Sequence, residues 1–248
     1  MFEFRVELAE VPVLIRCLFG ESRAFFRDYT TEKEPRFTVQ PTDDDIEKIR
    51  ADFERSDKAL GVTPVKMSDA FLENNAIHSI LAEKLIPENV LLMHGSALSF
   101  DGEAVIFTAK SGTGKSTHSG LWREVYGDRV VMINDDKPLL RIGNDGVFVW
   151  GTPWNGKHRL GRNASAPLRA IVKLERDQVN RIVPMSRADA FPVLAVRCYA
   201  SKDPATAVRI LGMQKKLLDS VDFFVLGCNM DPDAARVCRA GIFGADDK

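Results

Sequence analysis

Three observations predict an α/β fold: a twisted mixed sheet flanked by helices, with a smaller α+β region ahead of it. Short apolar runs of β-strand period alternate with segments of helical period along the chain. Two turn signals, Asp101-Gly102 and Asn144-Asp145-Gly146, each sit between apolar runs and predict hairpins. Between a buried strand and a helix stands "AKSGTGKS", Ala109 to Ser116, with the spacing of a phosphate-binding P-loop.

The elements follow in order. Phe2, Phe4, Val6 and Leu8 alternate with polar residues, the pattern of a half-buried strand. "PVLIRCLF" and "RFTVQ" read as further short strands. Thr42 is placed to cap a helix carrying Ile46, Ile49 and Phe53, and Ser68 to cap a second that Pro87 stops. Residues 1–88 therefore form the N-terminal α+β region, and residues 89–248 the nucleotide-binding domain. In that domain "VLLMHGSALSF" and "EAVIFTA" pair across Asp101-Gly102. After the glycine loop a helix runs to about Tyr126, ended by Gly127, followed by the buried strand "RVVMIND". "PLLRI" and "VFVWG" make the second hairpin, a loop rich in Gly, Asn and Lys runs to Pro167, and "RAIVKLE" is the next strand. Helical segments near Asp189–Tyr199 and Ala205–Ser220 precede the strand "FFVLGCN" and a terminal helix opened by Pro232.

Composition narrows the function classes. Lys and Arg (34) balance Asp and Glu (35), so no overall field favours nucleic acid or an anionic membrane. No apolar stretch approaches the roughly 20 residues of a membrane span, and the acids within "MFEFRVELAE" are unlike a signal peptide. Cys17, Cys198, Cys228 and Cys238 show no CxxC spacing, the expectation for reduced thiols in a cytoplasmic protein.

The chemistry concentrates in three places. In the loop, glycines let backbone N–H groups turn inward as an anion nest, and the next helix adds its positive end. Lys110, Ser111, Gly112, Thr113, Gly114, Lys115, Ser116 and Thr117 are the expected nucleotide contacts, with Lys115 on the terminal phosphates and the Ser116 hydroxyl on Mg²⁺. Asp135 and Asp136 end a strand beside that loop, where a metal-binding acid is expected. One acid would serve the ion and the other take a proton from an incoming hydroxyl. A two-residue turn at Asp101-Gly102 sets Phe100 opposite Glu103 and, counting down, His94 opposite Ala109. The loop Gly151–Asn163 carries Trp154, Lys157, His158, Arg159 and Arg162, and is read as an acceptor-site or lid loop whose glycines allow closure.

From Leu92 to Leu139, "LMHGSAL…DGEAVIFTAKSGTGKST…INDDKP" resembles the catalytic core of the HPr kinase/phosphorylase family. It is also similar to the nucleotide half of ATP-dependent phosphoenolpyruvate carboxykinase. The resemblance implies an ATP site at Lys110–Thr117 and a metal near Ser116 and Asp136. It also implies Asp135 as the proton-handling residue, with His94 near the metal or γ-phosphate. "GTPWNGKHRLGRN" replaces the family's glycine-rich signature, so the expected acceptor is not HPr. The expected protein is an ATP- and Mg²⁺-dependent kinase acting on a hydroxyl, with serine as the expected type, of a protein, peptide or small molecule; a homo-oligomer is compatible with it. A nucleotide-driven regulatory or assembly ATPase and a carboxykinase-like enzyme are the alternatives.

Overall fold

Phe2–Leu8 (β1) and Val11–Cys17 (β2) are antiparallel, with Leu8 opposite Val11. Ala9 and Glu10 between them take φ of 49° and 64°, as the mirror-image turns of two-residue hairpins require. Gly20–Phe25 (α1) follows, a helix too short for periodicity to reveal. Phe37–Val39 (β3) pairs parallel with β2. Asp43–Ala59 (α2) begins at Thr42 with a reciprocal capping box to Asp45, and Asp69–Lys84 (α3) begins at Ser68, whose hydroxyl accepts from the Phe71 N–H. Alternate residues of β1 and β2 face inward, and Ile46, Leu72 and Ala76 bury the contact between the two long helices. The computed structural model describes residues 1–63, 65–110, 112–156 and 158–244. Its backbone divides into two units, Met1–Glu88 and Asn89–Lys248.

The second unit is built on a nine-stranded mixed sheet. Val90–Leu92 (β4), Ser96–Phe100 (β5) and Glu103–Thr108 (β6) lead into the glycine loop and Lys115–Tyr126 (α4). Val130–Asn134 (β7), Leu139–Ile142 (β8) and Val147–Trp150 (β9) come next, then Ser165–Arg176 (β10) and Arg181–Pro184 (β11). Arg187–Arg197 (α5), Pro204–Ser220 (α6), Asp222–Cys228 (β12) and Asp233–Phe243 (α7) complete it. The order β11-β12-β10-β6-β5-β7 forms the main sheet, and β4-β8-β9 joins it through the first residues of β10.

β6 lies between antiparallel β5 and parallel β10, so the strand feeding the glycine loop enters from a hairpin rather than from a crossover. β10 starts at Ser165, ahead of the expected loop end at Pro167. Pro167 is the last residue paired with β9, and pairing with β6 begins at Leu168. A residue with no N–H suits the point where a strand changes neighbours. β11 is a short, largely exposed edge strand with little apolar signal to read. On the core face Phe100, Phe107 and Trp122 pack edge-on or tilted, in one cluster with Leu226 of β12 and with Cys238 and Ile242 of α7. Among the described residues no helix is long and apolar enough to cross a membrane.

Candidate active site

The loop from β6 to α4 turns through two residues that an L side chain would strain. Gly112 has φ of +74°, and Gly114, the N-cap of α4, has φ of +120°. The Thr113 N–H donates to the Lys110 carbonyl at 3.2 Å, and the Arg176 guanidinium, from the end of β10, donates to the Gly112 carbonyl at 2.6 Å. No acid occupies the first turn of α4, which leaves its N–H groups to an anion. Lys110 on this loop and Thr117 in the first turn of α4 are exposed; Ser111 lies outside the described residues.

Lys115 is half-buried, not free in solvent as an unliganded P-loop lysine would be expected to be. Burial and the Arg197 guanidinium lower its pKa, and Asp136 works in the opposite sense. Among the described residues neither Lys115 nor Arg197 forms an ion pair. Two like charges near one another, without a carboxylate on either, make a place where an anion is stabilised. Arg197 has no motif around it in the sequence. It arrives because residues 197–199 run beside the end of β4: the His94 N–H donates to the Arg197 carbonyl at 2.7 Å, and the Tyr199 N–H to the Leu92 carbonyl at 2.8 Å.

The hairpin register holds from Phe100↔Glu103 to Ser96↔Phe107. Beyond that the chain leaves β5 for β4, so His94 is not a ladder partner of Ala109. Its carbonyl accepts from the Thr108 hydroxyl at 3.4 Å, and its Nδ1 lies 3.1 Å from Asp136 Oδ1. Gly95 allows this departure, because a Cβ there would stand 2.7 Å from the Ile106 side chain and 3.0 Å from the Phe107 carbonyl. Burial works to raise the Asp136 pKa, but the His94 hydrogen bond, with Lys137 and Lys115, holds the carboxyl below its ordinary range.

The two acids face different surroundings. Asp135 is 6% exposed, and its Oδ1 accepts the Gly156 N–H at 2.5 Å. It lines a small crevice with Ser96, Ser116, Ser119, Gly120 and Arg123, closed on the other side by His158 and Leu160. The turn carrying both acids is tied down by Asn134. Its Oδ1 accepts from the Asp136 and Lys137 N–H groups at 2.9 and 2.6 Å. Its Nδ2 donates to the Thr152 carbonyl and hydroxyl and to the Trp154 carbonyl, at 3.0 to 3.2 Å. Neither Asn134 nor Thr152 carries a motif of its own in the sequence. An Asn opening an acid-rich turn, the Asx-turn pattern, is the signal that could have found the first.

The glycines of the expected lid loop do a different job from closure. A Cβ on Gly151 would stand 1.8 Å from the Arg162 carbonyl, one on Gly156 would stand 3.0 Å from Asp135 Oδ2, and one on Gly161 would stand 1.8 Å from Asn155 Oδ1. The Arg162 N–H also donates to the Ile133 carbonyl at 3.0 Å. These contacts staple the loop to the end of β7 as a wall. Trp154 is buried in that wall, whereas His158, Arg159 and Arg162 are exposed; Lys157 lies outside the described residues.

Among the described residues no group of three or more His, Cys, Asp or Glu side chains could hold a metal ion. A donor set of one or two carboxylates and a serine hydroxyl fits Mg²⁺ that keeps phosphate oxygens and water as its other ligands. No family model and no curated protein sequence matches the chain. Among solved structures, the Hpr(Ser) kinase/phosphatase from Coxiella burnetii is similar over 60% of this chain and 95% of that one, at 12% identity and a TM-score of 0.38. That is a distant likeness of fold.

Proposed function

We propose that the protein is an ATP- and Mg²⁺-dependent kinase that transfers the terminal phosphoryl group to a hydroxyl acceptor other than HPr. The observation that carries this reading is the convergence of the glycine loop and the unpaired Lys115 with a paired His94–Asp136 and a separately bonded Asp135. The loop N–H groups, with Lys110 to Thr117, cradle the phosphates, and Lys115 and Arg197 counter the charge that builds on the transferred group. Ser116 and Asp136 would hold Mg²⁺, which when bound neutralises the phosphate oxygens. His94, held through Nδ1 by Asp136, is left with Nε2 as the nitrogen to meet the phosphates. Asp135 takes the acceptor proton as the acceptor O–P bond forms and the bond to the ADP leaving group breaks. Buried Trp154 and exposed Arg159, with Lys157 of the same stretch of sequence, are the residues expected to select the acceptor, and the pair of carboxylates with distinct partners favours a transferase over a nucleotide-driven switch.

The test is incubation with γ-labelled ATP and Mg²⁺, with and without cell lysate, alongside calorimetric titration of ATP. Asp136→Asn is expected to weaken Mg²⁺-dependent ATP binding. Asp135→Asn is expected to bind normally and to transfer about 10²–10⁴-fold more slowly. Lys115→Ala is expected to lose productive nucleotide use with the fold intact. Equal affinity and turnover in the Lys115 variant would reject the nucleotide site. ATP consumption with no labelled acceptor would favour the switch.

A further inference from the structure

Arg176 has no motif around it in the sequence and no part in the chemistry proposed above, yet it is bonded to the glycine loop. β10 pairs with β6 as far as Lys173↔Thr108 and then runs on beside β12 to Arg176↔Cys228. Its last residue therefore stands alongside the chain that has left β6 for the loop. There the exposed Arg176 guanidinium donates to the Gly112 carbonyl at 2.6 Å. Among the described residues no carboxylate competes for it, since the neighbouring Glu175 and Asp177 pair with Lys173 and Arg181.

One peptide plane is thereby fixed at both of its polar atoms. The carbonyl of the Gly112–Thr113 peptide bonds to Arg176, and its N–H, that of Thr113, donates to the Lys110 carbonyl at 3.2 Å. Packing does not hold this plane, because a Cβ on Gly112 would meet no atom within 4 Å. Gly112 and Gly114, at φ of +74° and +120°, flank Thr113 and leave the backbone free to turn. The orientation matters because α4 starts here. The His118 N–H bonds back to the Gly114 carbonyl at 2.9 Å, which leaves the N–H groups of Lys115, Ser116 and Thr117 without helical partners. A carbonyl turned toward those groups would accept from them and set its negative end against a phosphate.

We infer that Arg176 is a positioning residue for the phosphate site. By keeping the Gly112 carbonyl on its guanidinium and off the N–H groups of α4, it holds the loop ready for phosphate before any nucleotide is present. It acts through the Gly112–Thr113 peptide and touches no substrate. The inference rests on the glycine loop being the nucleotide site of the kinase reading above. Without the guanidinium the loop divides between two forms, and affinity falls in proportion to the fraction that stays competent.

The test uses Arg176→Met, which keeps an unbranched stem and removes the donors. Calorimetry with sodium tripolyphosphate and with MgATP, on protein shown to be folded by circular dichroism, reads the phosphate site without and with the nucleoside. Both affinities are expected to fall by about tenfold, and by the same factor. In the ligand-free protein the Thr113 amide, part of the same peptide plane, is expected to exchange with solvent about tenfold faster, measured by NMR on ¹⁵N-labelled protein. Weaker ATP binding with unchanged tripolyphosphate binding would mean that the guanidinium meets the nucleoside. Weaker binding of both with unchanged Thr113 exchange would mean that it meets phosphate directly, and unchanged affinities would make it a surface brace. Each of these results overturns the inference and leaves the kinase reading standing. A wild type that binds neither ligand rejects the kinase reading, and the inference with it.

Discussion

Five hydrogen bonds converge on the buried amide of Asn134. They join the Asp135–Asp136 turn to the backbone of residues 152–154, beside the bonds from the Thr152 hydroxyl to the Lys137 carbonyl and from the Gly156 N–H to Asp135. Asn134→Ala removes the acceptor of the Asp136 and Lys137 N–H groups, while the Thr152 carbonyl keeps the Asn155 amide and the Trp154 carbonyl the Thr152 hydroxyl, at a cost of about 1–3 kcal/mol. Transfer should fall by about 10²-fold even where the fold survives, since displacements near 1 Å are enough for that. Asn134→Asp separates the two halves of the role. It still accepts from the Asp136 and Lys137 N–H groups but cannot donate toward Thr152 and Trp154. Parallel thermal melts and kcat measurements on both variants check this; a kcat that follows only the fraction folded would make Asn134 purely structural.

At the level of elements, most starts and stops are encoded within a few residues of themselves. Thr42 and Asp45 show how. The Asp45 carboxyl is held below its ordinary range, first by the Thr42 N–H and then by the Thr42 hydroxyl. A depressed folded pKa contributes stability above the unfolded carboxylate range, near 3.9, that is lost as pH falls through the folded value. Thr42→Ala should lower stability at neutral pH by about 1 kcal/mol. It should also make the first unit less sensitive to acid below pH 4, which urea titrations at several pH values would measure. The same local logic makes Ser68, Asp203 and Ser186 legible as caps. It fails for α1, where no side chain caps the N-terminus from within the helix.

For the molecule as a whole, the candidate site lies in one unit, while a second buried carboxylate, Glu73, serves the fold of the other. Every candidate site residue lies between His94 and Arg197, in Asn89–Lys248. In Met1–Glu88, Glu73 is fully buried and accepts from the Leu18 and Phe19 N–H groups and the Ser22 hydroxyl, which fixes the start of α1 from 51 to 55 residues away. Glu73→Ala should destabilise the first unit by about 2–4 kcal/mol, since it removes the acceptor of the buried Ser22 hydroxyl and of two part-buried N–H groups. ATP affinity, measured by calorimetry below the unfolding transition, should not change. A parallel loss of affinity would mean that the nucleotide site draws on residues before Glu88.

Periodicity, caps, turn pairs and the glycine loop are short-range properties, and from them the order of strands and helices could be read almost end to end. The Asp101-Gly102 register could be read too, as far as the ladder runs, because a two-residue turn leaves no other pairing. What could not be read are contacts between residues far apart in the chain. His94 meets Asp136 across 42 residues, Arg176 meets Gly112 across 64, and Asn134 meets Thr152 across 18. The glycines of residues 151–161 look like hinges in a string of letters. They become a wall only where neighbouring backbone and side chains crowd the space a Cβ would need. Such contacts follow from how β4, β7 and β10 are ordered in the sheet, and hydrogen bonding at that range is chosen by topology rather than by neighbouring residues.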